Sequence, residues 1–216
     1  MKIKTIILRI LLIPLPLILV LTGCKDSKGT VLVGTRDCEP PCWLDIMPGV
    51  TKSGDMIEIL KKKEQAKEGF LTLLDGGIIR WQSLDGYNSY VYPSENEVVT
   101  RIEVDLRSNS IKLDDLISIF GEPLTLDIGK VEDGYFRSTV FYPNKGLAFV
   151  ISGDEIDITT SDLKFLFNPD MAVLKGIFFS PMEDISTMIN LLYSSNAKPS
   201  VLLNIQNWTG YGIYYK

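Results

Sequence analysis

The chain of 216 residues contains no histidine. That absence removes Ser-His-Asp and Cys-His nucleophile systems, imidazole zinc sites and histidine proton shuttles, because each of them needs that ring. Positive charge is also in short supply: 22 Lys plus Arg stand against 27 Asp plus Glu. This argues against a nucleic-acid partner, since neutralising phosphates takes a dense basic face. There is no phosphate-binding loop, no G-x-S-x-G elbow and no cofactor signature. No low-complexity segment interrupts the chain. What is there is an ordinary globular composition, 45% apolar, with a modest acidic surplus.

The most specific signal lies at the start. Lys2, Lys4 and Arg9 precede twelve apolar residues from Ile10 to Leu21, the length of a secretory h-region. A spanning helix needs about 20 apolar residues, and Pro14 and Pro16 would weaken one here. Leu21-Thr22-Gly23-Cys24 then resembles the lipobox of bacterial lipoproteins. The resemblance implies that residues 1–23 are a signal peptide removed after Gly23, and that Cys24 carries a diacylglyceryl thioether and further fatty acyl groups such as palmitate. Two or more acyl chains, at about 0.8 kcal/mol per buried methylene, make attachment to a bilayer stable.

Cleavage there takes three of the 22 basic residues and none of the 27 acidic ones, leaving a net of −8 over 193 residues. Residues 24–36, opening Lys25-Asp26-Ser27-Lys28-Gly29-Thr30, read as a polar lipidated tether. A dozen such residues hold a body about 20 Å from the anchor.

Residues 37–216 read as an α+β domain. Leu113, Leu116, Ile117 and Phe120 follow a helical stripe that Gly121 and Pro123 stop. Ile185, Met188, Ile189 and Leu192 repeat it, and Ser180-Pro181-Met182-Glu183 has the form of a capping box, with Ser180 as N-cap. A third helical segment runs through Asp55-Met56-Ile57-Glu58-Ile59-Leu60. The three segments are spaced by 60 and then 72 residues, a weak internal repeat with candidate units 48–110 and 111–180, followed by a helix and a strand. Between them the period becomes two, at 78–82, 87–92 and 98–106, then at 135–142, 146–152 and 173–179, with hairpin-sized gaps. Segregated hairpins predict tandem helix-plus-antiparallel-meander units, with the helices on one face of the sheet.

That order resembles the envelope-lipoprotein fold typified by the BamE (SmpA/OmlA) subunit and the β-lactamase-inhibitor protein. Pro48-Gly49-Val50-Thr51 and Phe120-Gly121-Glu122-Pro123 are similar to the flanks of that family's helical pair, although here some 60 residues of strand pattern separate the two signatures.

Cys38-Glu39-Pro40-Pro41-Cys42-Trp43 and Trp208-Thr209-Gly210-Tyr211-Gly212 together resemble a group of bacterial lipoproteins without an assigned activity. With Cys24 acylated and the chain exported, a Cys38–Cys42 disulfide is the economical pairing. Its small ring is worth only about 2 kcal/mol. Two residues that each precede a proline favour extended backbone, so closure demands a turn at Pro41 or a cis prolyl bond. A redox-catalytic pair and a two-thiolate metal site are the competing readings; the first lacks C-x-x-C spacing and the second lacks ligands. The expected role is a staple, with Trp43 packed beneath it.

Trp208, Tyr211, Tyr214 and Tyr215 form either a sugar-stacking or protein-contact patch, or a terminal strand with alternate rings in the core. Asn207-Trp208-Thr209 fits a glycosylation sequon, a match that a bacterial lipobox makes accidental. Asp154, Glu155, Asp157 and Asp162 offer oxygen ligands without the spacing of a calcium loop, so a solvated loop is expected there.

The sequence thus predicts a lipid-anchored protein on the extracytoplasmic face of a cell membrane, binding or assembling with an envelope protein or glycan, without catalysis, cofactor or metal. The alternative is a glycan or small-ligand binder using its C-terminal aromatic residues, Trp208 and Tyr211 above all.

Overall fold

Runs of alternating β-branched and aromatic residues become strands because a pleated chain sends successive side chains to opposite faces. A computed structural model of the chain describes Leu32 and residues 38–62, 70–82, 86–132, 135–156, 164–193 and 204–215. The elements are, in order, α1 (Ser53–Lys62), β1 (Phe70–Leu73), β2 (Ile79–Gln82), β3 (Asn88–Pro93), β4 (Val99–Asp105), α2 (Leu113–Phe120), β5 (Thr125–Glu132), β6 (Tyr135–Tyr142), β7 (Leu147–Ile156), β8 (Lys164–Phe167), β9 (Ala172–Phe179), α3 (Ile185–Leu192), β10 (Ile205–Asn207) and β11 (Gly212–Tyr215). The class is α+β, as the segregated hairpins predict.

All strands belong to one sheet of order β1-β2-β3-β4-β9-β7-β6-β5-β10, from which β8 branches off β7 to pair with β11. Every pairing is antiparallel. The two strand groups of the sequence are joined at β4 and β9, in register from Arg101↔Phe179 to Asp105↔Lys175.

Both faces of the central strands are apolar. Leu147, Phe149 and Ile151 of β7 enter one buried cluster with Phe178 of β9, while Ala148, Ile177 and Phe179 enter a second. Met56 and Leu60 of α1 and Leu113, Leu116 and Phe120 of α2 join the first cluster; Met188 and Ile189 of α3 join the second. Alternation along β7 and β9 puts these clusters on opposite faces. The expectation that all helices share one face is therefore corrected. A strand such as Leu147-Ala148-Phe149-Val150-Ile151 is apolar on both sides, and each side needs its own cover.

The start of α3 is a second correction. Its N-cap is Asp184, whose carboxylate accepts from the amides of Ser186 at 3.3 Å and Thr187 at 2.8 Å; Ser180 is not the cap. Residues 180–183 are occupied elsewhere. Met182 N–H donates to the Pro143 carbonyl at 3.1 Å, and Ser180 Oγ fills the space that a Cβ on Gly49 would need. The end of α2 is as the sequence predicts: Gly121, at φ 78°, donates its N–H to the Ile117 carbonyl at 2.8 Å.

Leu32 falls in the stretch expected to be tether, yet it is fully buried in the first cluster. The chain is therefore fastened to the core before it reaches Cys38. The stretches expected to be signal peptide and the rest of the tether, including Cys24, lie outside the described residues. No helix among the described residues is long and apolar enough to cross a membrane.

Candidate functional site

Three neighbourhoods bring the chemically interesting residues together. The first is the loop at Cys38–Cys42, which is closed by a disulfide with the Cα atoms 5.2 Å apart and a cis peptide between Pro40 and Pro41. The closure anticipated from the two prolines is thus present. Cys42 N–H donates to the Glu39 carbonyl at 2.9 Å, and Trp43 and Ile46 exchange backbone hydrogen bonds at 3.0 and 2.9 Å. Trp43 turns inward, stacked on Trp81 with ring centroids 5.1 Å apart and 6.3 Å from Phe178. Both sulfur-bearing residues are buried and Asp45 N–H points at Cys38 Sγ. A thiol exchange partner reaches such a pair poorly, so the loop has the build of a staple.

The second neighbourhood is the C-terminal aromatic run, and the structure splits it. Tyr214 is buried; its hydroxyl accepts from Thr209 N–H at 2.8 Å and donates to the Gly210 carbonyl at 2.9 Å, which ties the turn between β10 and β11. Trp208 is half-buried, packed on Phe167, Tyr211 and Tyr214 with centroids 5.9–6.1 Å away. Tyr211, Ile213 and Tyr215 are exposed. The ring presented to solvent in the W-x-G-Y-G motif is therefore Tyr211 and not Trp208.

Tyr211 reaches across to α2, where its hydroxyl donates to Asp114 Oδ1 at 3.1 Å. Burial, and then the Asp114 carboxylate, push its pKa up to about 12. Tyr142, buried against Phe120 and Phe149, is raised further, chiefly by burial and then by Tyr211 and Glu122. Its hydroxyl and the Trp208 indole N–H are both buried, without a hydrogen-bond partner among the described residues. This corner offers one exposed ring and two nearby carboxylates, the equipment with which hydroxyl-rich ligands are held.

The third neighbourhood was not legible from motifs. A cavity of about 350 Å³ opens between the disulfide loop and the end of α2, lined by Glu39, Pro40, Ile119, Phe120 and Lys145. The only sequence signal for it is Ile119, an apolar residue off the α2 stripe, which stays 39% exposed. Lys145 is held there by the turn from Pro143 to Gly146. Gly146 has φ 65°, and a Cβ on it would collide with the Phe179 carbonyl and with Pro41, so this turn and the disulfide loop are pressed together.

Elsewhere, Tyr193 sends its hydroxyl to Thr139 Oγ1 at 3.2 Å and Asp127 Oδ2 at 3.4 Å below the end of α3. On the same sheet face Arg101 lies over the Tyr92 ring at 3.9 Å and donates to the Leu191 carbonyl at 2.6 Å. Both arrangements fasten α3 to the sheet. In the acidic run, Asp154 and Glu155 belong to the end of β7, while Asp157 and Asp162 lie outside the described residues. No group of three or more Cys, Asp or Glu side chains among the described residues is placed to hold a metal ion. The chain matches no protein-family model, no curated protein and no solved structure.

Proposed function

We propose that the protein is a lipoprotein anchored through acylated Cys24 on the extracytoplasmic face of a cell membrane, where its α+β body serves as a binding or assembly module without catalysis. The observation that carries this reading is Leu21-Thr22-Gly23-Cys24 directly after the apolar run. The Cys38–Cys42 disulfide supports it, because such bonds persist in oxidising compartments outside the cytosol. The tandem arrangement, α1 before β1–β4 and α2 before β5–β9, is in keeping with the helix-plus-meander order on which the resemblance to the BamE and β-lactamase-inhibitor group rests. Radiolabelled palmitate should enter the wild type and fail to enter Cys24→Ser. Equal labelling of the two, or a mature protein that retains residues 1–23, refutes the anchor.

A second reading is favoured by Tyr211: an exposed ring beside Asp114 and Glu122, with the Trp208 indole close by, suits a glycan. Titration with envelope oligosaccharides should then be weakened by Tyr211→Ala and spared by Tyr215→Ala. Equal effects of the two changes count against it.

A further inference from the structure

We propose that the cavity between the disulfide loop and α2 binds a small zwitterion with an apolar side chain, that is, a free amino acid or a dipeptide. Glu39 and Lys145 are exposed on the rim of the cavity, and neither side chain has a hydrogen-bond or ion-pair partner among the described residues. They carry opposite signs and do not neutralise each other. A ligand that satisfies both presents an ammonium to Glu39 and a carboxylate to Lys145. An anion or a cation alone would answer only one of them.

The floor supplies the apolar part. Ile119, Phe120 and Pro40 line the cavity, and Ile119 is left 39% exposed by the fold. A side chain of leucine type would cover it. The volume, about 350 Å³, lies at the lower end for ligand pockets. At about 30 Å³ for each water-sized unit it admits about a dozen non-hydrogen atoms, the size range between a large amino acid and a dipeptide.

The walls are pre-organised. Glu39 and Pro40 sit inside the disulfide ring. Phe120 is the last residue of α2, held by the Gly121 cap. Lys145 lies in the turn closed by Gly146 N–H to the Pro143 carbonyl at 2.9 Å. Walls that are fixed before binding cost little to order when the ligand arrives.

The test is an NMR titration of the full chain in detergent with leucine, glycyl-leucine, leucinamide and N-acetylleucine. Leucine or glycyl-leucine should saturate, with shifts confined to Glu39, Ile119, Lys145 and their neighbours. Leucinamide, which lacks the carboxylate, and N-acetylleucine, which lacks the ammonium, should each bind about tenfold more weakly. Lys145→Met should weaken leucine about tenfold and leave leucinamide unchanged; Glu39→Gln should weaken leucine likewise and leave N-acetylleucine unchanged. Tighter binding of leucine than of the dipeptide assigns the cavity to free amino acids, and the reverse order assigns it to peptides. Absence of saturation with both zwitterions, or equal binding of the blocked analogues, overturns the proposal. Acylation of Cys24 plays no part in this titration, so its failure and that of the anchor are separately visible.

Discussion

Replacing Trp43 by alanine is the sharpest test of how the disulfide loop is seated. Trp43 is 5% exposed, stacks on Trp81 at 5.1 Å with 22° between the rings, and lies 6.3 Å from Phe178. Truncating a buried tryptophan costs about 3–5 kcal/mol in lost transfer energy and cavity formation. Of that, about 0.5–1.5 kcal/mol belongs to the aromatic pair itself. Urea unfolding followed by circular dichroism should show the unfolding free energy of Trp43→Ala falling by that amount, through a lower midpoint at an unchanged slope. Trp43→Phe keeps a ring over Trp81 and should lose roughly 1–2 kcal/mol. In a cycle with Trp81→Ala, the two losses should fall short of additivity by about the pair energy, because each single change already removes the stack. A loss below about 1 kcal/mol for Trp43→Ala, or full additivity, would refute the placement of the ring in the core.

Replacing both Cys38 and Cys42 by serine should cost about 2 kcal/mol on the chain-entropy estimate, and two free thiols counted under oxidising conditions would end the pairing. Asp184→Ala should destabilise α3 while Ser180→Ala leaves its start intact. The Thr187 hydroxyl and amide, then the Ser186 amide, hold the Asp184 carboxyl below its ordinary range, so its contribution is present above the unfolded value and lost as pH falls through the folded one; an acid titration of helix content that is the same in Asp184→Asn would contradict this. At high pH the sign reverses. Tyr92, Tyr142, Tyr193 and Tyr211 are all raised, burial being the first cause for each. The folded state therefore keeps phenolic protons that the unfolded state has released, and stability falls as pH climbs above the ordinary tyrosine range. Absorbance titration should place Tyr211 near 12 and bring it lower in Asp114→Asn; an ordinary value in the wild type would remove its contact with Asp114.

Much of this fold is legible where one local signal dominates. The stripe of α2 with its Gly121 stop, and the hairpins β3–β4 and β6–β7, follow directly from period and turn residues. β5 escapes because its period is broken: register shifts between Ile128 and Val131, and a Cβ on Gly129 would strike the Arg137 carbonyl, which is how a bulge disguises a strand. β8 and β10 have four and three residues, too short for alternation to register. The opposite placement of α3 had a signal that the helix stripes drowned. Five consecutive apolar residues in β7 and Phe178-Phe179 in β9 mark strands buried on both faces, and a helix must then cover each side.

The candidate site divides along the same line. Cys38 and Cys42 are neighbours in sequence, so their pairing is readable, and Trp208 with Tyr211 stands out by composition. Their surroundings come from topology. Pro41 meets Gly146 and the cavity faces the end of α2 because β9 inserts between β4 and β7, and residues 180–183 fold over the turn at Pro143. This matters most where the chain leaves its proposed anchor. Leu32 is buried, so seven residues of sequence separate it from the proposed anchor at Cys24, a span of about 15 Å for a flexible linker of that length. Cys38 follows six residues later and Glu39 after it, so the wall of the cavity belongs to the first described loop past the tether. The span of about 15 Å exceeds the Debye length of about 8–10 Å, so repulsion from anionic headgroups is largely screened, and on the proposed anchoring it is the length of chain before Leu32 that limits how far the body stands from the bilayer. Lengthening the tether between Cys24 and Leu32 should move the body outward without changing its stability, whereas Leu32→Ala should destabilise it by about 2–5 kcal/mol, because a leucine in the core is a fastening and one in a linker is not.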